Sequence, residues 1–281
     1  MLREVMDFLS PLPGKFAIDC TLGYGGHAEA LLAALQPGGR LLGIDVDPIE
    51  LPRTEARLRA LGFGADTLTV RRTNYAGLAK VLSEPADIVL ADLGLSSMQI
   101  DNPERGFTFK FDGPLDLRMN PSRGQPASEL LSTLDERELA TLLAENADEP
   151  RAEKFAAAMK QTSISTTRQL ANVIHSGGGD DDSIRRVFQA LRIQVNDEFG
   201  ALDAFLRNLP SCLKEGGRVA ILTFHSGEDR RVKKAFQIGK RSGVYLEVAR
   251  DVIRASPEEI RANPRSRSAK LRWAIRAGSL S

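Results

Sequence analysis

Apolar runs at residues 15–21, 40–45, 68–72 and 86–91 are each only long enough for a buried strand, and a helical pattern at 28–35 follows the first of them. Pro37-Gly38-Gly39 stops that helix ahead of the second run. Runs bounded by turn residues and alternating with helical periodicity predict a parallel sheet covered by helices on both faces. After the fourth run the alternation ceases. Residues 136–145, 151–161, 167–174, 183–194 and 197–208 all read as helices with no strand between them, and Gly177-Gly-Gly-Asp-Asp-Asp182 interrupts them with an acidic turn. Asp135 followed by Glu138, ahead of Leu139, Leu142 and Leu143, has the spacing of a capping box. Strand patterns then return at 216–224, 244–249 and 270–276.

This order of elements predicts one discontinuous α/β domain, residues 1–106 and 198–281, split by an inserted helical domain at 107–197. Charged residues are 27% and apolar residues 42% of the chain, which fits a folded globular protein and excludes a disordered one. No apolar run approaches the roughly 18–20 residues that span a bilayer, and residues 1–8 lack the pattern of a signal peptide, so no membrane association is expected. Two cysteines, Cys20 and Cys212, point to a reducing cytoplasm, and with three histidines in all no metal site is expected. The net charge of +1 conceals an asymmetry. Residues 225–281 hold 14 Lys and Arg against 6 Asp and Glu, a balance of +8, which leaves −7 on residues 1–224. Charge alone leaves open a polyanion-binding surface or a solvated basic tail.

Gly23-Tyr-Gly-Gly-His-Ala28 lies between a strand and a helix and has the spacing G-x-G-x-x-A. Glycines there allow a tight turn and close approach of a ligand to the backbone. Asp45, at the end of the next strand, suits a ribose diol, so an adenosine cofactor is expected; NAD and S-adenosylmethionine both satisfy that geometry. Asp92 ends the fourth strand, and the polar continuation Ser96-Ser97-Met98-Gln99 runs past the point where a plain turn would stop. A carboxylate here can cap its turn or accept a hydrogen bond from a cofactor ammonium or a substrate amine. Gly106-Phe-Thr-Phe-Lys-Phe-Asp-Gly-Pro114 alternates aromatic and polar residues. The alternation fits a half-buried strand, or rings on which unpaired bases stack with Lys110 and Arg118 near their phosphates. His225, directly after the fifth strand, is flanked by Ser226, Glu228 and Asp229 and is a further site candidate.

Several ordered blocks together resemble one family. Asp19-x-Thr-x-Gly-x-Gly-Gly-His27, Gly43-Ile-Asp-x-Asp-Pro48, Asp92-Leu-Gly-x-Ser-Ser97 and Asp101-x-Pro-Glu-Arg-Gly-Phe107 are similar to blocks of the bacterial RsmH (MraW) methyltransferases. So are Asp112-Gly-Pro-Leu-Asp-x-Arg-Met119, Phe188-Gln-Ala-Leu-Arg-Ile193, Phe224-His-Ser226 and Asn263-Pro-Arg-Ser-Arg-Ser-Ala-Lys-Leu-Arg272. The resemblance implies a class I, Rossmann-like S-adenosylmethionine-dependent methyltransferase fold. It also implies methylation of N4 of a cytidine in the decoding centre, the P site, of 16S ribosomal RNA within the small subunit. Cofactor contacts are then expected at Gly25, Gly26, His27, Asp45, Tyr75, Asp92 and Gln99. Two departures from the family pattern stand out: the sequence starts inside the usual N-terminal H-x-P-V-L-type segment, and Gly227 replaces the usual leucine after His-Ser.

The chemistry sets further expectations. The N4 lone pair of cytosine is delocalised into the ring, so an oxygen accepting one N–H favours the amine that attacks a sulfonium methyl. Asp92 is the first candidate acceptor, Asp116 the second and Asp112 the third, with His225 orienting the base or taking the proton. The target base must leave its stack, and a phenylalanine from 107–111 is a candidate platform. Arg105, Phe107, Phe109, Lys110, Arg118 and Arg230 form the expected RNA-contacting set. An NAD(P)-dependent oxidoreductase, and a catalytically weakened RNA-binding or ribosome-assembly protein, are the competing readings.

Overall fold

The computed structural model describes residues 1–278. Its strands are β1 (Phe16–Asp19), β2 (Arg40–Asp45), β3 (Leu68–Arg72), β4 (Ala86–Asp92), β5 (Leu213–Thr223), β6 (Tyr245–Val248), β7 (Ile253–Arg254) and β8 (Lys270–Arg276). They form one sheet in the order β3-β2-β1-β4-β5-β8-β6, with β7 paired to β8. The first five strands are mutually parallel, and β8 is antiparallel between β5 and β6. This is the expected Rossmann-like α/β class, and the strand order reverses between β1 and β4.

The runs of buried residues have a simple origin. Successive side chains on a strand face opposite ways, and here both faces are covered. Ile18, Ile44, Val89, Ala91 and Ile221 join Leu202, Phe205 and Leu209 of the helix Glu198–Cys212 in one core. Ala17, Leu41, Leu90, Ala220 and Leu271 join Leu31 and Leu32 of the helix Gly26–Ala34, and Leu58 of the helix Glu50–Ala60, in another. No helix among the described residues is long and apolar enough to cross a membrane.

Two compact units are present: Met1–Gly94 together with the chain from Gly200 onward, and Leu95–Phe199. The second has its own core, in which Leu139, Leu143, Phe155, Leu170, Ile174, Val187 and Leu191 are buried. Its helices are Ala127–Thr133, Glu136–Ala147, Ala152–Lys160, Thr167–Ser176 and Asp181–Asn196, after a short one at Ser97–Asp101. Asp135 and Glu138 do form the capping box, with Glu138 N–H on Asp135 Oδ1 at 2.7 Å and Asp135 N–H on Glu138 Oε2 at 2.9 Å. The unit starts at Leu95 and not at 107. The reason lies in Arg105, whose carbonyl accepts from Leu117 N–H and whose guanidinium donates to the carbonyls of Arg118 and Met119.

The strand expected within 106–114 does not form; only Pro114 makes an isolated bridge, to Thr166. Phe107 and Phe109 instead pack against the helical core, Phe109 lying 5.9 Å from Phe188 between ring centroids. Phe111 alone of the three is exposed.

Candidate active site

Ligands of open α/β sheets collect at the carboxyl ends of the strands where the order reverses. Here those ends carry Asp19 on β1 and Asp92 on β4, in adjacent parallel strands. Asp19 was not among the expected site residues, although a carboxylate closing a buried strand was a signal that could have found it. It is only 1% exposed. Its Oδ1 accepts the N–H of Thr21 at 3.1 Å, and Thr21 Oγ1 accepts the N–H of Asp92 at 2.6 Å. The turn after β1 is thereby tied to the end of β4. Burial raises the Asp19 carboxyl to about 7, and the charges of Asp92 and Asp45 push the same way.

Asp92 is raised to about 7 as well, by desolvation first and by the charge of Glu228 next. Its side chain is walled in on most sides yet keeps 31% of its surface open, as expected for a group lining a crevice. Oδ2 lies 3.4 Å from His27 Nδ1. His27 is pulled down to about 4, chiefly by desolvation, so the contact joins a carboxyl to a neutral imidazole and is not an ion pair. Asp92 Oδ1 and His27 Nε2 are buried and have no hydrogen-bond partner among the described residues. Buried polar atoms of this kind cost stability unless something satisfies them, and in a crevice the natural candidate is a ligand.

The glycine turn is built for close approach. Gly25 sits at φ 83°, and a Cβ there would meet Thr54 Cγ2 at 2.9 Å, so both the conformation and the space require glycine. A Cβ on Gly26 would meet nothing within 4 Å, which leaves the first turn of the following helix open. Asp45 at the end of β2 accepts Gly23 N–H on Oδ2 at 2.9 Å and Asp47 N–H on Oδ1 at 3.0 Å. Burial raises its pKa against those bonds. A carboxylate has about four lone-pair sites, so capacity for a diol remains. Asp47 is a structural residue, accepting the N–H groups of Ile49 and Glu50 ahead of the helix Glu50–Ala60. Tyr75 is half-buried and meets Phe205 edge-on at 5.4 Å between centroids.

His225 ends the loop after β5 and precedes the helix Ser226–Arg241. Its Nε2 is 3.2 Å from Glu228 Oε1, and Glu228 Oε2 accepts Phe224 N–H at 2.8 Å. Gly227, the departure from the family pattern, lies buried in the first turn of that helix, and its carbonyl accepts from Arg231. His27, Asp45, Tyr75, Asp92 and His225 thus belong to the sheet unit together with Gly25 and Gly26.

The remaining expected residues lie in the helical unit, and several have structural employment. Gln99 is buried and its Oε1 accepts Ser96 N–H at 3.0 Å, closing the capping box of its own helix, so that oxygen is not offered to a cofactor. Asp116, the second candidate acceptor, is gripped by Arg118 through two side-chain bonds, at 2.8 and 2.7 Å, and so already serves as the partner of an arginine. The same pair takes Arg118 out of the free phosphate-binding set. Asp112 accepts Arg168 N–H at 3.2 Å in the first turn of the helix Thr167–Ser176; the Thr166 side chain first, then Arg168 through its N–H and its charge, lower its pKa, and it serves there as a helix-end anion. Arg105 is buried on backbone carbonyls, and Phe107 and Phe109 are partly buried against the helical core, so these three brace the loop. Lys110 and Phe111 are exposed, as is Arg230 in the other unit.

Asn196 was missed. Its Oδ1 accepts Met119 N–H at 2.7 Å and its Nδ2 donates to Leu117 O at 2.8 Å, so one amide clamps three residues of loop. Leu117 between them holds φ 64°, a conformation costly for leucine and kept by these surroundings.

The residues of the sheet unit fit a ligand with a ribose diol and a donor-bearing polar end: a glycine turn the ligand can approach, Asp45 beyond it, and the unsatisfied Asp92 Oδ1. Comparison with known proteins identifies a family. The family model described as the MraW methylase family matches residues 1–277. Ribosomal RNA small subunit methyltransferase H 2 of Alkaliphilus metalliredigens is 52% identical, over 98% of this chain and 84% of that protein. Ribosomal RNA small subunit methyltransferase H 1 of Lachnoclostridium phytofermentans is 48% identical, over 98% and 80%. Ribosomal RNA small subunit methyltransferase H of Myxococcus xanthus is 42% identical, over 97% and 94%. The chain belongs to the MraW methylase family.

Proposed function

We propose that the protein methylates N4 of a cytidine in the decoding centre, the P site, of 16S ribosomal RNA in the cytoplasmic small ribosomal subunit, with S-adenosylmethionine as donor. Family membership supports the reaction class, and the names of the relatives support the RNA. The observation that carries the chemistry is the buried, partnerless Asp92 Oδ1 at the reversal of the strand order. A nicotinamide-dependent oxidoreductase loses its support with the family assignment.

S-adenosylmethionine supplies an electrophilic methyl on a positively charged sulfur. Asp45 accepts the ribose hydroxyls while its existing bonds to Gly23 and Asp47 keep it aimed. Gly25 and Gly26 let the backbone lie against the nucleoside. Asp92 Oδ1 accepts one N4–H of the cytosine, which localises the nitrogen lone pair toward the methyl and gives the departing proton a destination. In-line alignment of nitrogen, carbon and sulfur contributes much of the remaining advantage. Neutral His27 lies 3.4 Å from the other carboxyl oxygen, and His225, 3.2 Å from Glu228, orients the base. In the helical unit, exposed Phe111 beside Lys110 offers a ring on which an unpaired base of the RNA stacks.

An acceptor whose carboxyl sits at about 7 in the unliganded protein must be ionised to work, so kcat/KM rises with pH through about 7 and then levels. The deciding experiment is mass spectrometry of nucleosides from small subunits incubated with the protein and S-adenosylmethionine. N4-methylcytidine is the expected product. Subunit binding without any methylated nucleoside would instead establish the weakened assembly-protein reading.

A further inference from the structure

The helix Ser226–Arg241 carries a feature that the reaction does not use. Its buried residues include Glu228, Val232, Phe236 and Gly239, which hold one side against the sheet unit. Arg230, Lys233, Lys234, Gln237, Lys240 and Arg241 are exposed. At about 100° per residue these six fall within one arc on the opposite side, and from Arg230 to Arg241 they extend roughly 16 Å along the axis.

The acids of this helix do not neutralise that face. Glu228 bonds Phe224 N–H and faces His225, while Asp229 holds Arg272 at 2.6 Å with Lys270 at 3.7 Å. Lys233 exerts only a longer-range pull on Asp229. Among the described residues, no carboxylate lies within ion-pair distance of Lys233, Lys234 or Arg241. The helix Glu50–Ala60 shows the ordinary arrangement, with Arg53 on Glu50, Arg57 on Glu29 and Arg59 on Glu55. Cations gathered on one face repel one another, and they match a polyanion laid along it.

We propose that this face is a docking surface for the phosphate backbone of the substrate RNA, with Lys233, Lys234 and Arg241 making the contacts. The inference rests on the RNA-methyltransferase reading above and extends it to a surface outside the reaction centre. The helix starts one residue after His225, at the carboxyl end of β5, so phosphates on the stripe lead toward the strand end beside Asp92. Phosphate contacts of this kind set register and affinity and carry no base information.

The test compares wild type with the triple variant Lys233→Gln/Lys234→Gln/Arg241→Gln, and with the control triple Arg3→Gln/Arg71→Gln/Lys80→Gln, exposed positions elsewhere on the same unit. Binding to small subunits is measured across salt concentrations, with kcat and KM for methyl transfer and calorimetric affinity for S-adenosylhomocysteine as the check of folding. Losing three phosphate contacts lowers the slope of log affinity on log salt by about 2. The expected result is that loss of slope, a KM at least roughly tenfold higher, an unchanged kcat, and a control near wild type. A salt slope and KM like those of wild type, or an equal change in the control, overturns the proposal. Failure of the functional reading shows separately, as wild-type protein that binds subunits through the stripe yet yields no methylated nucleoside.

Discussion

The strand-end carboxylates of the sheet unit and the buried carboxylates of the helical unit sit in opposite circumstances. In the helical unit Glu149 has a fully buried side chain, but Arg186 holds it at 2.7 Å and the N–H of Arg151 at 3.0 Å. Glu198 is paired through two bonds with Arg192, and Asp116 with Arg118. In the sheet unit Asp19 and Asp92 have no arginine; both are raised to about 7, and Asp92 has an oxygen with no bond. Buried charge that is closed by a partner specifies a fold, whereas buried polarity left open is stability given up for a ligand. The contrast separates structural acids from chemical ones better than residue type or loop position does.

The sharpest break in that contrast comes from Asp92→Asn. Transfer is expected to fall on the order of 10³-fold, about 4 kcal/mol in the barrier, while the melting temperature holds or rises because a buried ionisable group is gone. Single-turnover transfer and thermal melting read the two arms, and a melting temperature that drops with activity would make Asp92 a structural acid. Glu149→Gln should do the reverse. It leaves Arg186 without its charged partner and costs about 3 kcal/mol in denaturant unfolding. A loss below about 1 kcal/mol would erase the distinction between the units.

Protonation gives a third handle. The raised pKa values of Asp19 and Asp92 mean that the folded state holds their protons longer than the unfolded chain does. Their contribution to stability is therefore fully present below about 3.8 and is lost as pH rises through about 7. Melting of the unliganded protein from pH 5 to 8 should show this decline, and Asp19→Asn should flatten it; an identical slope in that variant would argue against a protonated Asp19. The smallest effect on stability belongs to Phe111→Ala, within about 0.5 kcal/mol. Subunit KM should nevertheless rise, by about 1 kcal/mol or more of lost stacking, and Phe109→Ala should behave oppositely, destabilising the core.

Much of this was legible in the chain itself. The alternation of strands and helices gave β1–β5 to within a few residues, because β1, β2 and β4 are buried along most of their length and turn residues bound each run, and the Asp135–Glu138 spacing gave its cap. The helices Leu2–Leu9, Glu50–Ala60 and Ser226–Arg241 were not read. The last two are dense in charge, so their narrow apolar sides are diluted in any simple count. Gly25, His27, Asp45 and Asp92 were legible because strand ends and glycine turns are local features. Asp19 carried a signal that was passed over, a carboxylate closing a buried strand, and Asn196 was hidden by distance, since its partners Leu117 and Met119 lie far away along the chain. The aromatic alternation at 107–111 misled for the same reason. Period two records which side chains are apolar, and the tertiary contact with Phe188 decides what covers them.

The pairing of β4 with β5 has a consequence for how the protein comes into being. Ala86 aligns with Leu213, and the whole helical unit is synthesised between them. Joining such distant strands carries a large closure entropy, which an early-folding insert would reduce. On a ribosome the first four strands emerge with Asp92 on an unpaired edge, and β8, which must slot between β5 and β6, arrives last. The nascent protein therefore lacks the His225 side of its reaction centre until the whole helical unit has been made.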